Sequence, residues 1–161
     1  MTVVSNSSPL IALAQIGQFE LLHLLYQELL IPQAVRDEVL RFGEERLGAA
    51  ELARADWIKT VTISNRTAVE LLRERLDLGE SEAIVLAIET EAQLLLIDEA
   101  RGRRVAQTQS LNHVGTVGIL VLARRRGLVE AVTPLLNDLI AVGFRMNEDL
   151  YRTALELAEE V

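Results

Sequence analysis

The sequence predicts an α/β fold in which helices flank a short, doubly wound and mostly parallel sheet. Short apolar and β-branched runs alternate along the chain with longer segments in which apolar residues recur at helical spacing. This alternation is typical of parallel strands joined by right-handed crossovers. The run Gln93–Ile97 supports the assignment, because its consecutive leucines and isoleucine are typical of a parallel strand buried on both faces. With 161 residues, the chain is long enough for a single domain with a sizeable core.

The composition excludes several classes of site. The chain has no cysteine, which rules out disulfides, thiolate catalysis and cysteine zinc sites, and its two histidines, His23 and His113, lie far apart in sequence. The formal net charge of -8 argues against broad electrostatic adhesion to nucleic acid. It is compatible with a nuclease, because acidic residues that hold divalent cations contribute to the same total. No apolar run approaches the roughly 20 residues of a membrane span and no secretory signal pattern is present, so we expect a cytoplasmic protein.

The first half of the chain predicts three strands with helices between them. Val3 and Val4 form a short strand, Ser5–Ser8 is a polar turn, and Pro9 opens a helix. Gly17 divides the helical pattern that follows. The elements predicted after the turn are helices at Leu10–Ile16 and Phe19–Leu29, a strand at Leu29–Ile31, helices at Gln33–Phe42, closed by Gly43, and at Glu45–Ala55, an alternating strand at Trp57–Ile63, and a helix capped by Ser64 and Asn65 that runs through Arg75.

The second half predicts two more strands. Gly79 is expected to break one helix, and Glu80 or Ser81 to start the next. The buried strand Gln93–Ile97 ends at Asp98. The elements predicted after it are a helix opened by Glu99 and Arg101, a short strand at Leu111–Val114 that ends at Gly115 and Thr116, and helices at Val117–Arg126, Val129–Val142 and Asn147–Glu160.

Two polar residues follow predicted strands, at the edge where α/β sheets bind ligands, and two acidic residues lie in predicted helices. Asn6 follows the first strand and Asp98 follows the buried strand, so parallel strands would bring both to one edge. Glu38 lies in the helix after the second strand, and Glu82 in the first turn of a later helix. All four could therefore meet in one cleft. Two structural alternatives stay open, since Ser8 could simply cap the first helix and Glu82 could simply complement a helix dipole.

Oxygen-bearing side chains of this kind suit a hard divalent cation. Mg²⁺ prefers oxygen ligands and is usually held by a few carboxylates together with substrate phosphate. Such an ion can lower the pKa of a bound water and stabilise the charge that develops on a phosphodiester. The pattern therefore favours hydrolysis of a nucleic-acid backbone.

Two arginine clusters are candidates for phosphate contact. One contains Arg101, Arg103 and Arg104, and the other is Arg124–Arg126. Each is either a solvated helix face or part of a phosphate-contacting rim. We expect a member of the first cluster to line the approach to the acidic residues and to contact phosphate.

Four motifs recur along the chain in a fixed order, namely Val4–Ile11, Gly79–Ile84, Leu96–Val105 and Gly115–Leu120. In this order and at these spacings they resemble those of the DUF3368 family of PIN-domain proteins, and the resemblance covers essentially the whole chain. It implies a three-layer α/β/α sandwich and a metal-dependent endoribonuclease in which acidic residues bind Mg²⁺ or Mn²⁺. Many small PIN-domain proteins are toxins of toxin-antitoxin modules, held inactive by a cognate antitoxin.

The resemblance also implies a role for individual positions. Asn6 stands where the family has its first aspartate, and as an amide it can offer an oxygen to a metal but brings no charge. We therefore expect weaker cation affinity and weaker activation of water than an aspartate would give. The other positions carried over are Ser8 as the small polar residue after the first position, Glu38, Glu82 and Asp98 as the acidic residues of the second, third and fourth motifs, Glu80 and Glu99 as auxiliary ligands, and Thr116 as a residue that orients a water or a phosphate oxygen.

Two other functions compete with a nuclease. The first is a catalytically weakened or silent module that keeps the fold and binds a partner protein, which the neutral Asn6 favours. The second is a receiver-like phosphoacceptor domain, which needs an acidic pair after its first strand and a late lysine. Lys59, the single lysine, lies in an edge-like segment and disfavours the second function. The leucine-rich segments Gln27–Leu30 and Leu150–Leu157 lead us to expect a homodimer.

Overall fold

The computed structural model describes residues 1–41 and 47–161 of the protein. The predicted helix end at Phe42 and Gly43 and the predicted helix start at Glu45 lie outside the described residues. Every predicted strand is present. The first two strands extend one residue beyond their predicted ends, whereas the other three are shorter than the sequence pattern suggested. The strands are β1 (Val3–Ser5), β2 (Leu29–Pro32), β3 (Ile58–Val61), β4 (Leu94–Leu96) and β5 (His113–Val114).

The strands form one sheet in the order β3-β2-β1-β4-β5, and each neighbouring pair is parallel. β2 and β3 lie on one side of β1, whereas β4 and β5 lie on the other. The strand order therefore reverses between β1 and β4, and ligands of open α/β sheets bind outside such a switch point. The register pairs Ser5 with Leu96, so the residues that follow these two strands share one edge of the sheet.

Both faces of the sheet centre are covered. Successive side chains of a strand point to opposite faces, yet Val3, Val4 and Ser5 of β1 are all buried, as are Leu95 and Leu96 of β4. Burying an aliphatic side chain of this size contributes about 1.5–3 kcal/mol, so two covered faces are a strong source of stability. The predicted three-layer α/β/α sandwich with a parallel central sheet is confirmed.

Ten helices surround the sheet in the described part of the chain, and most begin and end within a few residues of their predicted bounds. The second helix is shorter than predicted, because Gln27 adopts a positive φ of 67° that ends it after Tyr26. The helices are α1 (Ser7–Gln15), α2 (Glu20–Tyr26), α3 (Gln33–Leu40), α4 (Ala49–Arg54), α5 (Arg66–Leu72), α6 (Leu78–Glu89), α7 (Ala100–Thr108), α8 (Thr116–Arg125), α9 (Thr133–Ala141) and α10 (Glu148–Leu157).

Asn6 occupies the N-cap position of α1, and its side chain makes no capping hydrogen bond. Ser8 lies inside the first turn of the helix, so the alternative that Ser8 is the cap is wrong. The Asn6 amide is therefore not used to stabilise the start of α1. It is free to face the edge of the sheet.

The start of α6 also differs from the prediction. Asp77 is the N-cap, and its Oδ1 accepts a 2.8 Å hydrogen bond from the backbone N–H of Glu80. Gly79 consequently lies inside the first turn of α6 and does not act as a helix breaker. The aspartate cap satisfies a free N–H of the first turn, which outweighs the low helix propensity of one glycine.

The C-terminal residues hold the last helices in place. The Glu160 carboxylate accepts hydrogen bonds from the backbone N–H groups of Val132 and Thr133, at 2.7 and 3.0 Å, and from the Thr133 hydroxyl at 2.6 Å. Arg124 of α8 lies 3.6 Å from the same carboxylate. The chain beyond α10 is thus tied to the start of α9 and to α8.

Among residues 1–41 and 47–161, no helix combines the length and the apolar character needed to cross a membrane.

Candidate functional site

Asn6 and Asp98 lie at the carboxyl ends of the two central strands. The backbone N–H of Asn6 donates a 2.9 Å hydrogen bond to the carbonyl of Leu96, which continues the pairing of β1 with β4 by one residue. Asp98 follows two residues later on the β4 side. Neighbouring strands are about 4.8 Å apart, so both side chains belong to the same small region of the switch point.

Three side-chain oxygens surround the open side of Gly79. The position that a Cβ atom on Gly79 would take lies 3.0 Å from Glu38 Oε2, 3.6 Å from Asn6 Oδ1 and 3.7 Å from Asp77 Oδ1. The oxygens come from the end of β1, from α3 and from the N-cap of α6. Because glycine has no side chain, they can approach the backbone of α6 closely. This group of residues is called the acidic cradle below.

Glu80 extends the acidic cradle toward α7. Its side chain is buried, and its Oε2 has no hydrogen-bond partner among the described residues. Burial, the neighbouring Asp77 and the charge of Glu99 raise the pKa of Glu80 from its ordinary 4.5 to about 7. An unpartnered buried carboxylate is costly. A bound cation would supply the missing partner.

Asp98 is held by the first residue of α8. The Thr116 N–H donates to Asp98 Oδ1 and the Thr116 hydroxyl donates to Oδ2, both at 2.7 Å. Burial nevertheless raises the pKa of Asp98 above its ordinary value, because it outweighs these hydrogen bonds. A Cβ on Gly115 would lie 2.7 Å from Oδ1, so a residue with a side chain there would displace the carboxylate.

Glu99 connects the acidic cradle with Asp98 electrostatically. The pKa of Glu38 is raised mainly by burial and then by Asp77. The nearby Ser7 hydroxyl and Arg41 lower it, although Ser7 Oγ lies outside regular hydrogen-bond geometry with every described residue. The charge of Glu99 raises the pKa values of Glu38, Glu80 and Asp98 alike. Mutual repulsion of this kind is typical of carboxylates that share one site, and functional sites are enriched in such perturbed groups.

Glu82 has different partners from Glu80. Its Oε1 accepts a 3.0 Å hydrogen bond from the N–H of Ala34, in the first turn of α3, and its Oε2 lies 2.8 Å from Arg66 Nη1. Two residues along a helix correspond to a rotation of about 200°, so Glu80 and Glu82 point to nearly opposite sides of α6. Glu82 ties α6 to α3 and α5. Its assignment as a metal ligand stays a prediction, and Glu80 has the closer contact with the acidic cradle.

The arginines of α7 divide between two faces. Arg103 Nη1 lies 3.7 Å from the Cβ position of Gly115, which places it beside Asp98. Arg101 and Arg104 line a separate cavity of about 390 Å³ together with Arg75. Since Arg101 and Arg104 are three residues apart, they share a helix face that Arg103 does not. Arg103 is therefore the member of this cluster that adjoins the predicted site.

The donor chemistry of the acidic cradle fits Mg²⁺ or Mn²⁺, because carboxylate and amide oxygens are the ligands these ions take. Glu38, Asp77 and Glu80 provide charge, and Asn6 provides a neutral oxygen. In the described part of the chain, however, no three acidic or histidine side chains stand close enough together to enclose an ion.

Asp77 is a site residue that the sequence analysis does not identify. It caps α6 and faces Glu38 and Glu80. An aspartate followed three residues later by a glutamate is a recognised signal for a helix start, and it would have placed Asp77 at the site. Of the predicted auxiliary residues, Ser8 and Glu99 line a cavity beside Asp98, and Thr116 binds Asp98 directly.

The family model DUF3368, described as a PIN domain, matches residues 2–160 of the chain. This match agrees with the resemblance carried by the four motifs and with a nuclease-like α/β/α fold. Neither a curated protein nor a solved structure matches the chain.

Proposed function

Because this chain belongs to the DUF3368 family of PIN domains, we propose that it is an endoribonuclease that hydrolyses RNA phosphodiesters with Mg²⁺ or Mn²⁺ held by acidic residues. The observation that carries the proposal is the convergence of oxygens around Gly79, with Glu38, Asn6 and Asp77 within 3.0–3.7 Å of one point. The raised pKa values of Glu38, Glu80 and Asp98 support it, because a cation would stabilise their charged forms.

Each residue of the proposed site would have a separate role. Glu38, Asp77 and Glu80 would hold the ion, with the Asn6 amide oxygen as a neutral ligand. When bound, the ion supplies a water of lowered pKa and a positive charge for the developing oxyanion. Thr116 holds Asp98 in a fixed orientation at the same edge. Arg103, beside Asp98, would neutralise the phosphate as it approaches.

The biological setting that we propose is a toxin-antitoxin module in the cytoplasm, in which this chain, as a homodimer, is the toxin and a small antitoxin protein inhibits it. A short neighbouring reading frame that encodes a DNA-binding pattern would support this setting. Growth arrest on expression of the chain alone, relieved by co-expression of that neighbour, is the expected result. Light scattering on the purified protein tests the dimer.

The direct test of the activity is cleavage of an end-labelled single-stranded RNA by purified protein with and without Mn²⁺. We expect Mn²⁺-dependent fragments, and a loss of about 100-fold or more on Asp98→Ala, in line with the cost of disturbing a metal site. Glu156→Gln, which removes an exposed charge on α10, is the matched control and should cleave like the parent. Equal cleavage by the parent and by Asp98→Ala would reject the proposal.

A second candidate function is a catalytically silent module that binds a partner protein. It is favoured by the neutral Asn6, by the engagement of Glu82 with Arg66, and by the separation of the carboxylates among the described residues. The variant Asn6→Asp separates the two functions, because it restores the charge that the family has at this position. Strong Mn²⁺-dependent cleavage by Asn6→Asp together with an inert parent would favour the silent module.

A further inference from the structure

Two cavities open on either side of Asp98. The smaller, of about 370 Å³, is lined by Ser8 and Glu99, and the larger, of about 570 Å³, by Arg103 and His113. Asp98, Phe144 and Arg145 line both cavities. The connection between α9 and α10 thus separates the two cavities, directly beside the predicted catalytic edge.

The larger cavity has the composition of a nucleotide subsite. Arg103 and Arg145 provide positive charge, and Phe144, Met146 and Val117 provide apolar walls. Ligand pockets typically enclose roughly 300–1,000 Å³ and combine apolar walls with a few polar groups, and this cavity falls within that range. An aromatic ring next to cationic side chains is the pairing that holds a stacked base together with its phosphate.

The two arginines are available to an anionic ligand. Neither Arg103 nor Arg145 forms a salt bridge with another described residue, whereas Arg66, Arg73, Arg124 and Arg152 do. Both side chains are exposed. Burial and the charge of Arg103 lower the pKa of His113 from its ordinary value, which disfavours the charged imidazolium.

The segment that carries Phe144 and Arg145 is held in place by its backbone. Gly143 has a φ of +95°, a conformation that favours glycine, and the N–H groups of Gly143 and Phe144 donate to the carbonyls of Ile140 and Leu139. Phe144 is half-buried against the core. A fixed segment loses little conformational freedom when a ligand binds, which favours a binding role.

We propose that the larger cavity binds one nucleotide of single-stranded RNA next to the scissile phosphate, with the base against Phe144 and the phosphate between Arg103 and Arg145. This inference rests on the proposed function, since it assumes that Asp98 marks the cleavage site. A base in the cavity cannot remain paired, so the subsite selects single-stranded over duplex RNA. Phe144 and Arg145 are accordingly specificity-determining residues.

The test measures binding without cleavage. A fluorescently labelled single-stranded RNA octamer is titrated with protein in EDTA, and anisotropy gives the dissociation constant. We expect Arg145→Ala and Phe144→Leu each to weaken binding about tenfold, because phosphate pairing and base stacking are lost. The matched control is Arg54→Ala, on α4 near the opposite outer strand, which should change binding less than twofold. The same octamer in a duplex should bind at least tenfold more weakly.

The outcomes separate this inference from the proposed nuclease activity. Unchanged binding by Arg145→Ala and Phe144→Leu, equal binding of duplex and single strand, or no binding by the parent protein would overturn the subsite. Cleavage by the parent together with any of these results would leave the nuclease standing. Conversely, selective loss of binding without any Mn²⁺-dependent cleavage would support the subsite and reject the nuclease. Unfolding curves for Phe144→Leu exclude a folding defect as the cause of weaker RNA binding. Arg145→Glu excludes it in a second way, because Arg145 is exposed and its substitution leaves the core unchanged.

Discussion

At the scale of single residues, Glu80 and Glu82 show how position on a helix decides the role of a carboxylate. Both are buried in the first half of α6, and they are only two residues apart. Glu82 is paired with Arg66, whereas Glu80 faces Asp77 and has an oxygen without a partner among the described residues. The motif Gly79–Ile84 alone could not distinguish the two glutamates, because the partner of each carboxylate depends on which neighbouring helix its side chain meets.

Glu80 should make the stability of the metal-free protein depend on pH. Its pKa of about 7 in the folded protein lies above the ordinary value of 4.5, so the folded state binds the proton more tightly. The stabilisation is therefore complete below pH 4.5 and is lost as the pH rises through about 7. Denaturant unfolding in EDTA measures this at acidic and at mildly alkaline pH. Between these two pH values, the free energy of unfolding of the parent should fall by about 1–2 kcal/mol relative to that of Glu80→Gln. Parallel pH profiles for the two proteins would contradict this, and Glu156→Gln is the control.

Some site residues could be predicted individually and others could not. Asn6 and Asp98 were accessible because each directly follows a strand that the hydrophobic pattern reveals. Glu38 was a candidate because it lies in the helix after the second strand, but its motif role came from the family resemblance, since an acidic residue in a helix carries no local signal of its partner. Asp77 was missed because its role arises from capping α6, and Phe144 because it reaches the site through packing of distant helices.

At the scale of elements, the first turn of α6 is shaped by a glycine that makes room for the acidic cradle. Gly79→Ala would place a methyl group 3.0 Å from Glu38 Oε2 and would push that carboxylate aside. We expect Mn²⁺ affinity to fall about tenfold, comparable to the loss of a supporting interaction at a metal site. Stability should stay the same or rise by up to about 1 kcal/mol, because alanine is the better helix former. Calorimetric titration and denaturant unfolding test the two parts, and unaltered Mn²⁺ binding would refute the role of Gly79.

The C-terminal anchor is a second element with a measurable effect. Burial alone would raise the pKa of Glu160, but hydrogen bonds from Thr133 and Val132 and the charge of Arg124 outweigh burial and lower it. The stabilisation is present above the ordinary pKa of 4.5 and is lost as the pH falls through the lower folded value. Glu160→Gln should lower the free energy of unfolding by about 1–2 kcal/mol at neutral pH and by progressively less in acid. Glu156→Gln is again the control, and a constant difference at every pH would argue against the anchor.

Element types were predictable because hydrophobic spacing reports burial directly. The bounds were less accessible, as the second helix and the start of α6 show. The predicted end of the second helix, at Leu29, lies too far along the chain, because no residue type in this segment indicates the positive φ of Gln27. The break at Gly79 was expected because glycine has low helix propensity, whereas the Asp77 cap overrides that preference.

At the scale of the whole molecule, the strand order positions the residues of the candidate site. The sequence pattern predicted parallel strands but not that β1 would sit between β2 and β4, because strand neighbours depend on long-range packing. That order brings the ends of β1 and β4 together at the switch point. The acidic residues then come from segments spread over more than sixty positions of the chain, from Glu38 to Glu99.

The central claim is that the switch point gathers Glu38, Asp77 and Glu80 into one cation site. Calorimetric titration of the metal-free protein with Mn²⁺ tests it most directly, with Glu80→Gln and Glu82→Gln compared under the same conditions. We predict one ion per chain for the parent, binding weakened about tenfold or more by Glu80→Gln, and binding largely retained by Glu82→Gln. A parent that binds no Mn²⁺ in a one-to-one ratio, or a Glu80→Gln variant that binds it as tightly as the parent, would contradict the account.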